Sequence, residues 1–136
     1  MYVVIMGCGR VGARLANLLM DAGHEVTVID INPAAFSRLG SEFRGTTIVG
    51  NGIDMDVLRR AEIERADAFA AVTQGDNRNI MASQIAKHIF GVPKVVTRIY
   101  DPIRTDTFVA LGLEASSPTV VGAAIFFEMI TGQKPK

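Results

Sequence analysis

The sequence has one cysteine, no excess of either charge and no long hydrophobic run. Cys8 cannot form an internal disulfide, and one thiol does not make a metal site. The 14 basic and 14 acidic residues cancel without a basic block, so a nucleic-acid-binding surface is not indicated. The apolar runs are shorter than the roughly 18–20 residues of a membrane helix, and no basic segment precedes Tyr2–Met6 as in a signal peptide. We expect a domain of the reducing cytosol that reaches a membrane only through a partner.

What the sequence does contain is a regular alternation of strand-like and helix-like segments. Short apolar runs fit strands covered on both faces, and the segments between them carry apolar residues at helical spacing. This alternation implies right-handed βαβ units. We therefore predict an α/β fold, a Rossmann-like doubly wound parallel sheet of six strands, in a single domain at 1–132 with a tail at 133–136. The expected strands are Val3–Met6, Glu25–Asp30, Thr46–Val49, Ala68–Val72, Lys94–Ile99 and Leu113–Ala115.

Glycine, proline and short polar side chains mark the expected helix ends. Gly23 is expected to end the first helix. Asn32 and Pro33 are expected to begin a second helix that runs to about Phe43. The other helices are expected to begin at Asp54, at Asp76 or Asn77, at Pro102 and at Val120. The expected apolar faces carry Val11, Leu15, Leu18 and Leu19 in the first helix and Ile80, Ile85 and Ile89 in the long one.

The segment Gly7-Cys8-Gly9-Arg10-Val11-Gly12 matches the pattern G-x-G-x-x-G between the first strand and the first helix. Gly7 permits a tight turn, Gly9 lets the backbone approach a pyrophosphate, and Gly12 lets helix and strand pack closely. The helix N-terminus offers free N–H groups and partial positive charge to phosphates. The pattern therefore predicts a nucleotide-binding turn, and the alternative is a tight turn that binds nothing.

Asp30 is expected at the end of the second strand, 18 positions after Gly12, near the spacing of about 20 in dinucleotide-binding folds. A carboxylate there can accept both hydroxyls of an adenine ribose and would repel a 2′-phosphate. Ile31 and Asn32 offer no compensating cation, so NAD-like or unphosphorylated adenosine ligands are favoured over NADP. The alternative is a solvent-exposed acid near a helix N-terminus.

Two side chains within the glycine-rich turn have more than one interpretation. Arg10 can grip a phosphate in its own chain or in a neighbouring subunit, or can be an ordinary surface arginine. Cys8 lies at a helix N-terminus, where a thiol pKa is lowered in some proteins. A small buried spacer is the favoured interpretation of Cys8.

With these residues in place, the chain resembles the N-terminal RCK domain, or TrkA-N domain, a nucleotide-binding regulatory module of Trk/Ktr-type potassium uptake systems and some potassium channels. The resemblance covers almost the whole chain and depends on the order and spacing of several motifs. The family often has arginine at the Arg10 position, which ordinary dehydrogenases do not require. The further motifs are Gly23-His24-Glu25-Val26, Val28-Ile29-Asp30, Gly50-Asn51-Gly52, Ala71-Val72-Thr73, Asp76-Asn77, Asn79, Val96–Pro102, Leu111-Gly112-Leu113 and Ser117-Pro118.

The resemblance implies a ligand site beyond the carboxyl ends of the strands, where strand order reverses. The implied ligand is NAD or NADH, or alternatively AMP, ADP or ATP. Asp30 would hold the ribose, Ile31 would lie beside the adenine, and Arg98 would reach from strand five toward the phosphates. The remaining implied site residues are Gly7, Cys8, Gly9, Arg10, Val11 and Gly12 for the phosphates, Asn51 and Gly52 along the adenine, and Thr73 and Gln74 in the other half of the site.

Some positions depart from the family pattern or have a second interpretation. Asn51 replaces the usual acid of the family. Thr119 stands where some potassium gates carry an acid linked to divalent cations, so no metal is expected. Arg98 is expected to pair with a ligand phosphate or with an acid such as Asp101. Three polar residues are expected to cap the long helix or to contact the ligand: Asp76, Asn77 and Asn79.

The last expected helix, Val120–Ile130, is apolar on several sides. A terminal helix has only one side to bury, so a homodimer or higher oligomer through this helix is favoured over burial in its own core. The resemblance implies a non-enzymatic regulator, cytoplasmic and held at the inner face of the membrane by a potassium transporter or channel subunit. The alternative is the cofactor domain of an NAD-dependent dehydrogenase without its catalytic domain, although no histidine or lysine is convincingly placed for hydride-transfer chemistry.

Overall fold

The computed structural model describes all residues, 1–136. The strands are β1 (Tyr2–Met6), β2 (Glu25–Asp30), β3 (Thr46–Val49), β4 (Ala68–Ala71), β5 (Lys94–Arg98) and β6 (Glu114–Ser116). The α-helices are α1 (Arg10–Asp21), α2 (Met55–Arg60), α3 (Asp76–Gln84), α4 (Pro102–Ala110) and α5 (Pro118–Thr131). Two 3₁₀ helices, Pro33–Leu39 and Ile63–Arg65, follow β2 and α2, and a π-helical turn, Ile85–Ile89, continues α3. The strand boundaries agree with the predicted ones to within one residue.

The strands form one sheet in the order β3-β2-β1-β4-β5-β6, and every neighbouring pair is parallel. The predicted doubly wound parallel sheet of six strands is therefore confirmed. The chain first moves outward from β1 to β3 and then returns to place β4 on the other side of β1. Strand order thus reverses between β1 and β4, and a crevice is expected beyond the carboxyl ends of these strands.

Helices cover both faces of the sheet and enclose two hydrophobic clusters. One cluster, with Ile5 and Val28, lies beneath α1 and the Pro33–Leu39 helix. The other cluster, with Val4 and Phe69, lies beneath α2 and α3. All five residues of β1 are buried, because this central strand contributes side chains to both clusters. Its uninterrupted apolar sequence follows from this position.

Two expectations about the first two helices are wrong. The helix that begins at Pro33 is a 3₁₀ helix and ends at Leu39 rather than near Phe43, because Gly40 adopts a positive φ of 81° and turns the chain. In α1, Leu15 and Leu19 pack against the cluster beneath this helix as expected, but Leu18 is 51% exposed. The buried stripe of α1 consists instead of Gly12, Ala13 and Ala16. These small residues allow α1 to lie close to the sheet, so larger leucines occupy its flanks.

The expected apolar face of α3 is correct only in part. Ile85 packs against the cluster that contains Val4 and Phe69, as expected. Ile89 is 59% exposed, whereas the buried residues of α3 and its π-helical continuation are Asn79, Ala82, Ser83 and Ala86. Two of these four side chains are polar. They lie in the interior because tertiary hydrogen bonds satisfy them, and apolar periodicity does not reveal such a face.

Helix α5 begins at Pro118, two residues before the predicted start, and Ser117 caps it through the N–H of Val120. None of its residues is buried. Phe126 is 64% exposed and Ile130 is 84% exposed, so α5 is not buried in the core of its own chain. No helix in the chain combines the length and the hydrophobicity that crossing a bilayer requires.

Candidate functional site

A crevice of about 440 Å³ lies beyond the carboxyl ends of β1, β2, β4 and β5. Its position is the reversal point of the strand order, where nucleotide ligands bind in open α/β sheets. The predicted site residues that line it are Gly7, Cys8, Gly9, Arg10, Val11, Asp30, Ile31, Asn51, Gly52, Thr73, Gln74 and Arg98. Gly12 is the one predicted site residue that does not line the crevice.

The glycines of the turn have three distinct environments. Gly7 has a φ of 111°, a conformation that favours glycine, and its N–H donates to the carbonyl of Ile29 at 2.8 Å. A methyl group on Gly12 would lie 1.8 Å from the carbonyl oxygen of Gly7, so Gly12 serves backbone packing rather than the crevice. A methyl group on Gly9 would meet nothing within 4 Å. The space above Gly9 is therefore open at the start of α1, where no side chain caps the free N–H groups.

Asp30 joins the end of β2 to the glycine-rich turn. Its Oδ2 accepts the backbone N–H of Cys8 at 2.8 Å, and its Oδ1 accepts that of Asn32 at 2.8 Å. The carboxylate is half-buried in the crevice wall rather than solvent-exposed. Each carboxylate oxygen can accept more than one hydrogen bond, so both remain able to receive ribose hydroxyls.

Cys8 is fully buried behind the turn, with its Sγ 3.4 Å from the carbonyl oxygen of Ala35. Burial and the Asp30 carboxylate raise the pKa of the Cys8 thiol. Both effects disfavour the thiolate. The burial of Cys8 agrees with the favoured interpretation of a small buried spacer, and the raised pKa does not support a helix-lowered one.

Arg98 lies at the opposite wall of the crevice. Its guanidinium carbon is 4.1 Å from the ring centroid of Tyr100, and its Nη2 contacts the Tyr100 hydroxyl. Its Nη1 is 3.5 Å from the carbonyl oxygen of Val72, and its Nε is buried without a hydrogen-bond partner. Asp101 accepts the N–H of Ile103 at the start of α4 and forms no ion pair with Arg98. The expected pairing with Asp101 is wrong, and a buried donor remains unsatisfied beside the crevice.

The polar residues at the start of α3 neither cap this helix nor line the crevice, so both expectations for them are wrong. The N-cap is Gly75, and no side chain caps the helix. Asp76 accepts the N–H of Tyr100 at 2.9 Å and fixes the loop before α4. Asn77 accepts a hydrogen bond from Arg104. Asn79 is fully buried behind the crevice wall.

Nine crevice residues were not predicted as site residues, and they include Arg38 of the 3₁₀ helix, Arg78 of α3 and Tyr100 after β5. With these, four arginines and one acid, Asp30, line the crevice, although the formal net charge of the chain is zero. Such a local excess of positive charge suits a polyanion. No local pattern predicts this excess, because Arg38 and Arg78 reach the crevice only through the rotational phase of the short helices that carry them.

These groups fit an adenine nucleotide. The uncapped N–H groups and the arginines suit phosphates, and the Asp30 carboxylate suits ribose hydroxyls. The Nε–H of Arg98 is a further donor that has no partner in the chain. No cluster of three or more histidine, cysteine, aspartate or glutamate side chains is arranged to hold a metal ion.

The sequence is similar to curated potassium uptake proteins over most of its length. The Trk system potassium uptake protein TrkA of Streptomyces coelicolor is 53% identical over 120 residues, which cover 88% of this chain and 52% of that protein. The TrkA homolog of Methanothermobacter thermautotrophicus is 36% identical over 135 residues, which cover 98% of this chain and 62% of that protein. The chain thus spans about half to three fifths of the length of these relatives.

Solved structures with lower identity share the fold. The TrkA-N domain of the inner membrane protein ybaL from Escherichia coli matches with a TM-score of 0.83 and 16% identity, over 94% of this chain and 95% of that one. GsuK bound to ADP matches with a TM-score of 0.80 and 23% identity, over 96% of this chain and 34% of that one. The GsuK channel bound to NAD matches with a TM-score of 0.80 and 24% identity, over 94% and 23%. The TrkA-N domain family itself matches residues 3–118, and the chain belongs to that family.

Proposed function

We propose that this domain binds an adenine nucleotide in the crevice and thereby regulates a membrane potassium transporter or channel subunit. The observation that carries the proposal is the crevice itself: an uncapped helix N-terminus and a carboxylate share it with four arginines, one of which keeps a buried unsatisfied donor. The relatives named as potassium uptake proteins support the regulatory half of the proposal. The ligand class is NAD or NADH, or alternatively AMP, ADP or ATP, and the similar structures of GsuK bound to ADP and to NAD support both.

The ligand would be held from two sides. The Asp30 carboxylate would accept the ribose hydroxyls, with Ile31 beside the adenine and Asn51 with Gly52 along it. The N–H groups at the start of α1 would bind the phosphates, with the side chain of Arg10 at the rim. Arg98 would reach toward the phosphates from the opposite wall, and Thr73 and Gln74 would contact the remainder of the ligand. Gly12 would act through the packing of the turn and not by contact.

The regulatory output would pass through a dimer or higher oligomer formed by α5. This helix buries none of its 14 residues in its own chain, and its only charged residue is Glu128. An apolar groove of about 410 Å³ adjoins it and is lined by Val11, Val96 and Val121, among others. A second copy of the chain would cover these surfaces. Ligands with different affinities for two arrangements of the copies would shift the balance between them and so bias the transporter.

We further propose a cytoplasmic domain that reaches the inner face of the membrane through its partner and has no enzymatic activity. No histidine or lysine lines the crevice to serve as a proton donor or acceptor in hydride transfer. Turnover of NAD or NADH by the chain with any 2-hydroxy acid or alcohol would instead favour the dehydrogenase alternative.

The test is calorimetric titration of the chain with NAD, NADH, AMP, ADP and ATP. Asp30→Ala is expected to lower affinity at least tenfold, because a charge-assisted hydrogen bond contributes about 1.5–3 kcal/mol. The matched control is Asp54→Ala. Asp54 also accepts the N–H two residues ahead, at 2.9 Å, but lies outside the crevice. Micromolar binding that Asp30→Ala abolishes and Asp54→Ala leaves intact is expected. Absence of binding at millimolar ligand would overturn the proposal.

A further inference from the structure

Asn79 is a polar side chain in the interior of the sheet–helix interface. It is 0% exposed and lies on α3, one turn after the helix begins. Its Oδ1 accepts the N–H of Thr73 at 3.0 Å and the Thr73 hydroxyl at 2.6 Å. Its Nδ2 donates to the carbonyl oxygens of Thr73 and Arg98, each at 2.9 Å. The amide therefore uses both of its donors and both lone pairs of its acceptor.

The two residues that Asn79 bonds lie where the β4–β5 ladder has ended. The register of this pair runs from Ala68 with Lys94 to Ala71 with Thr97 and goes no further. Thr73 follows β4, and Arg98 is the last residue of β5. Beyond the ladder, the Asn79 side chain bridges the two chain segments that backbone hydrogen bonds no longer join. Both segments line the crevice on the side opposite Asp30.

An apolar residue would be the ordinary choice at this position. Asparagine is a weak helix former, and a buried amide is favourable only when its hydrogen bonds are made. Ala82 and Ala86, on the same buried face, show that small apolar residues fit this interface. The amide at Asn79 therefore answers a requirement of the chain segments that it joins.

We propose that Asn79 is a positioning residue for the phosphate half of the crevice. It contacts no ligand. It holds the backbone of Thr73 and Arg98 at a fixed separation, so that the arginine side chain starts from a defined point beside the crevice. The inference depends on the proposed nucleotide binding and adds a residue that sets phosphate affinity from behind the wall. The ribose contacts of Asp30 and the phosphate contacts of the glycine-rich turn do not depend on Asn79.

Ser83 offers a matched control on the same helix. Its hydroxyl accepts a hydrogen bond from Thr97 on β5 at 2.6 Å, and it is also 0% exposed. Ser83→Ala thus removes a buried α3–β5 hydrogen bond one turn further from the crevice. Neither Ser83 nor Thr97 lines the crevice. A role of Asn79 in stability alone would be matched by Ser83, whereas a positioning role would not.

The experiment compares the affinity for ADP, by calorimetry, with the affinity for adenosine, by chemical-shift titration. Variants are Asn79→Ala, the milder Asn79→Ser, and Ser83→Ala. Asn79→Ala is expected to weaken ADP binding about tenfold and adenosine binding less than about twofold. Ser83→Ala is expected to leave the ADP-to-adenosine ratio of affinities unchanged. In an Arg98→Gln background, Asn79→Ala is expected to change ADP affinity less than about twofold, because the arginine it positions is absent.

The outcomes separate this inference from the proposed function. Equal losses for ADP and adenosine in the Asn79 variants would overturn the positioning role while nucleotide binding stands. A tenfold effect of Asn79→Ala that persists in the Arg98→Gln background would also overturn it. Unfolding of both Asn79 variants while Ser83→Ala folds would assign Asn79 to stability alone. Absence of binding of every adenine nucleotide tested, ADP and NAD included, to the wild-type chain would overturn the proposed function, and the inference with it.

Discussion

The two halves of the sheet, β1–β3 and β4–β6, differ in how far the chain itself bonds their polar groups and buries their apolar groups. In the half formed by β1, β2 and β3, Gly7 and Gly12 pack against backbone, and both oxygens of Asp30 accept N–H groups. In the half formed by β4, β5 and β6, the Nε of Arg98 is buried without a partner. The helix that follows β6, α5, has no buried residue.

This difference indicates what each half offers to other molecules. The first half offers a ligand the free N–H groups at the start of α1 and the spare lone pairs of Asp30. In the second half, unsatisfied buried donors and exposed apolar helices cost free energy until something covers them. We therefore expect a ligand to contact both halves across the crevice, and a second copy of the chain to cover α5.

The largest expected effect comes from Gly12→Ala, a substitution in the β1–β3 half. The added methyl group would lie 1.8 Å from the Gly7 carbonyl oxygen and 2.8 Å from its carbon, and backbone cannot move aside cheaply. We expect a loss of about 3 kcal/mol or more in the free energy of unfolding, measured by urea denaturation.

Gly9→Ala is the control for that prediction. The added methyl group has no neighbour within 4 Å, so the free energy of unfolding should change by less than about 0.5 kcal/mol. The same methyl group would occupy the space above the turn and weaken nucleotide binding. Equal destabilisation by the two substitutions would show that the turn is not packed as described.

The next-largest effect is on self-association through α5, in the β4–β6 half. Phe126→Glu together with Ile130→Glu places two charges on α5, where these side chains are 64% and 84% exposed. If a second copy covers them, the dimer dissociation constant should rise at least about a hundredfold, because buried anchors contribute about 2 kcal/mol or more each. Sedimentation velocity measures this change. Thr119→Glu, an exposed position in the first turn of the same helix, is the control, and an unchanged association state in the double variant contradicts the dimer.

A smaller effect is expected from Arg98→Gln. The substitution removes the charge beside the crevice together with a buried unsatisfied donor. ADP affinity should fall about tenfold, within the range of a charge-assisted hydrogen bond. The free energy of unfolding without ligand should stay the same or rise. A large loss of stability with unchanged ADP affinity would make Arg98 a structural residue.

The smallest effect is a pH dependence of the free energy of unfolding that arises in the β1–β3 half. Burial raises the pKa of Tyr2, whose hydroxyl donates to the carbonyl of Ala61, and burial also raises that of Cys8. Because the folded chain holds these protons more tightly, their stabilisation is complete below the unfolded pKa values. It is lost as the pH rises through the folded values, with a slope of at most about 1.4 kcal/mol per pH unit for each group.

Urea unfolding between pH 7 and pH 11 measures this alkaline decline. Tyr2→Phe should flatten its upper part, and Cys8→Ser its lower part, because an unperturbed tyrosine titrates near pH 10 and a cysteine near pH 8.5. A decline of the same slope in both variants would place the responsible groups elsewhere.

Sequence reasoning described the strands and the glycine-rich turn of the β1–β3 half well. The apolar run of β1, the glycine spacing and the position of Asp30 are local signals, and each depends on backbone geometry over a few residues. The crevice therefore contains the predicted turn and the predicted carboxylate. Gly12 was assigned to the ligand as well, but the sequence does not distinguish a glycine that faces a ligand from one that faces backbone.

The β4–β6 half was predicted less well because its important contacts are tertiary. The buried face of α3 carries Asn79 and Ser83, whose partners lie on other elements and leave no periodic signal. Arg78 reaches the crevice only through the rotation of α3, which carries it. The pairing of Arg98 with Tyr100 depends on the turn after β5, whose path is set by Asp76.

The double attachment of Asp30 has a consequence for how this fold can change during evolution. The carboxylate that would choose between adenosine and its 2′-phosphorylated form is also the group that fastens the turn through the Cys8 N–H. A neutral residue admitting the extra phosphate would release that fastening in the same mutational step. A lineage that acquired such a preference would need a compensating substitution in the turn. The hydrogen bond between Asp30 and the turn therefore makes a change of ligand preference by a single substitution costly.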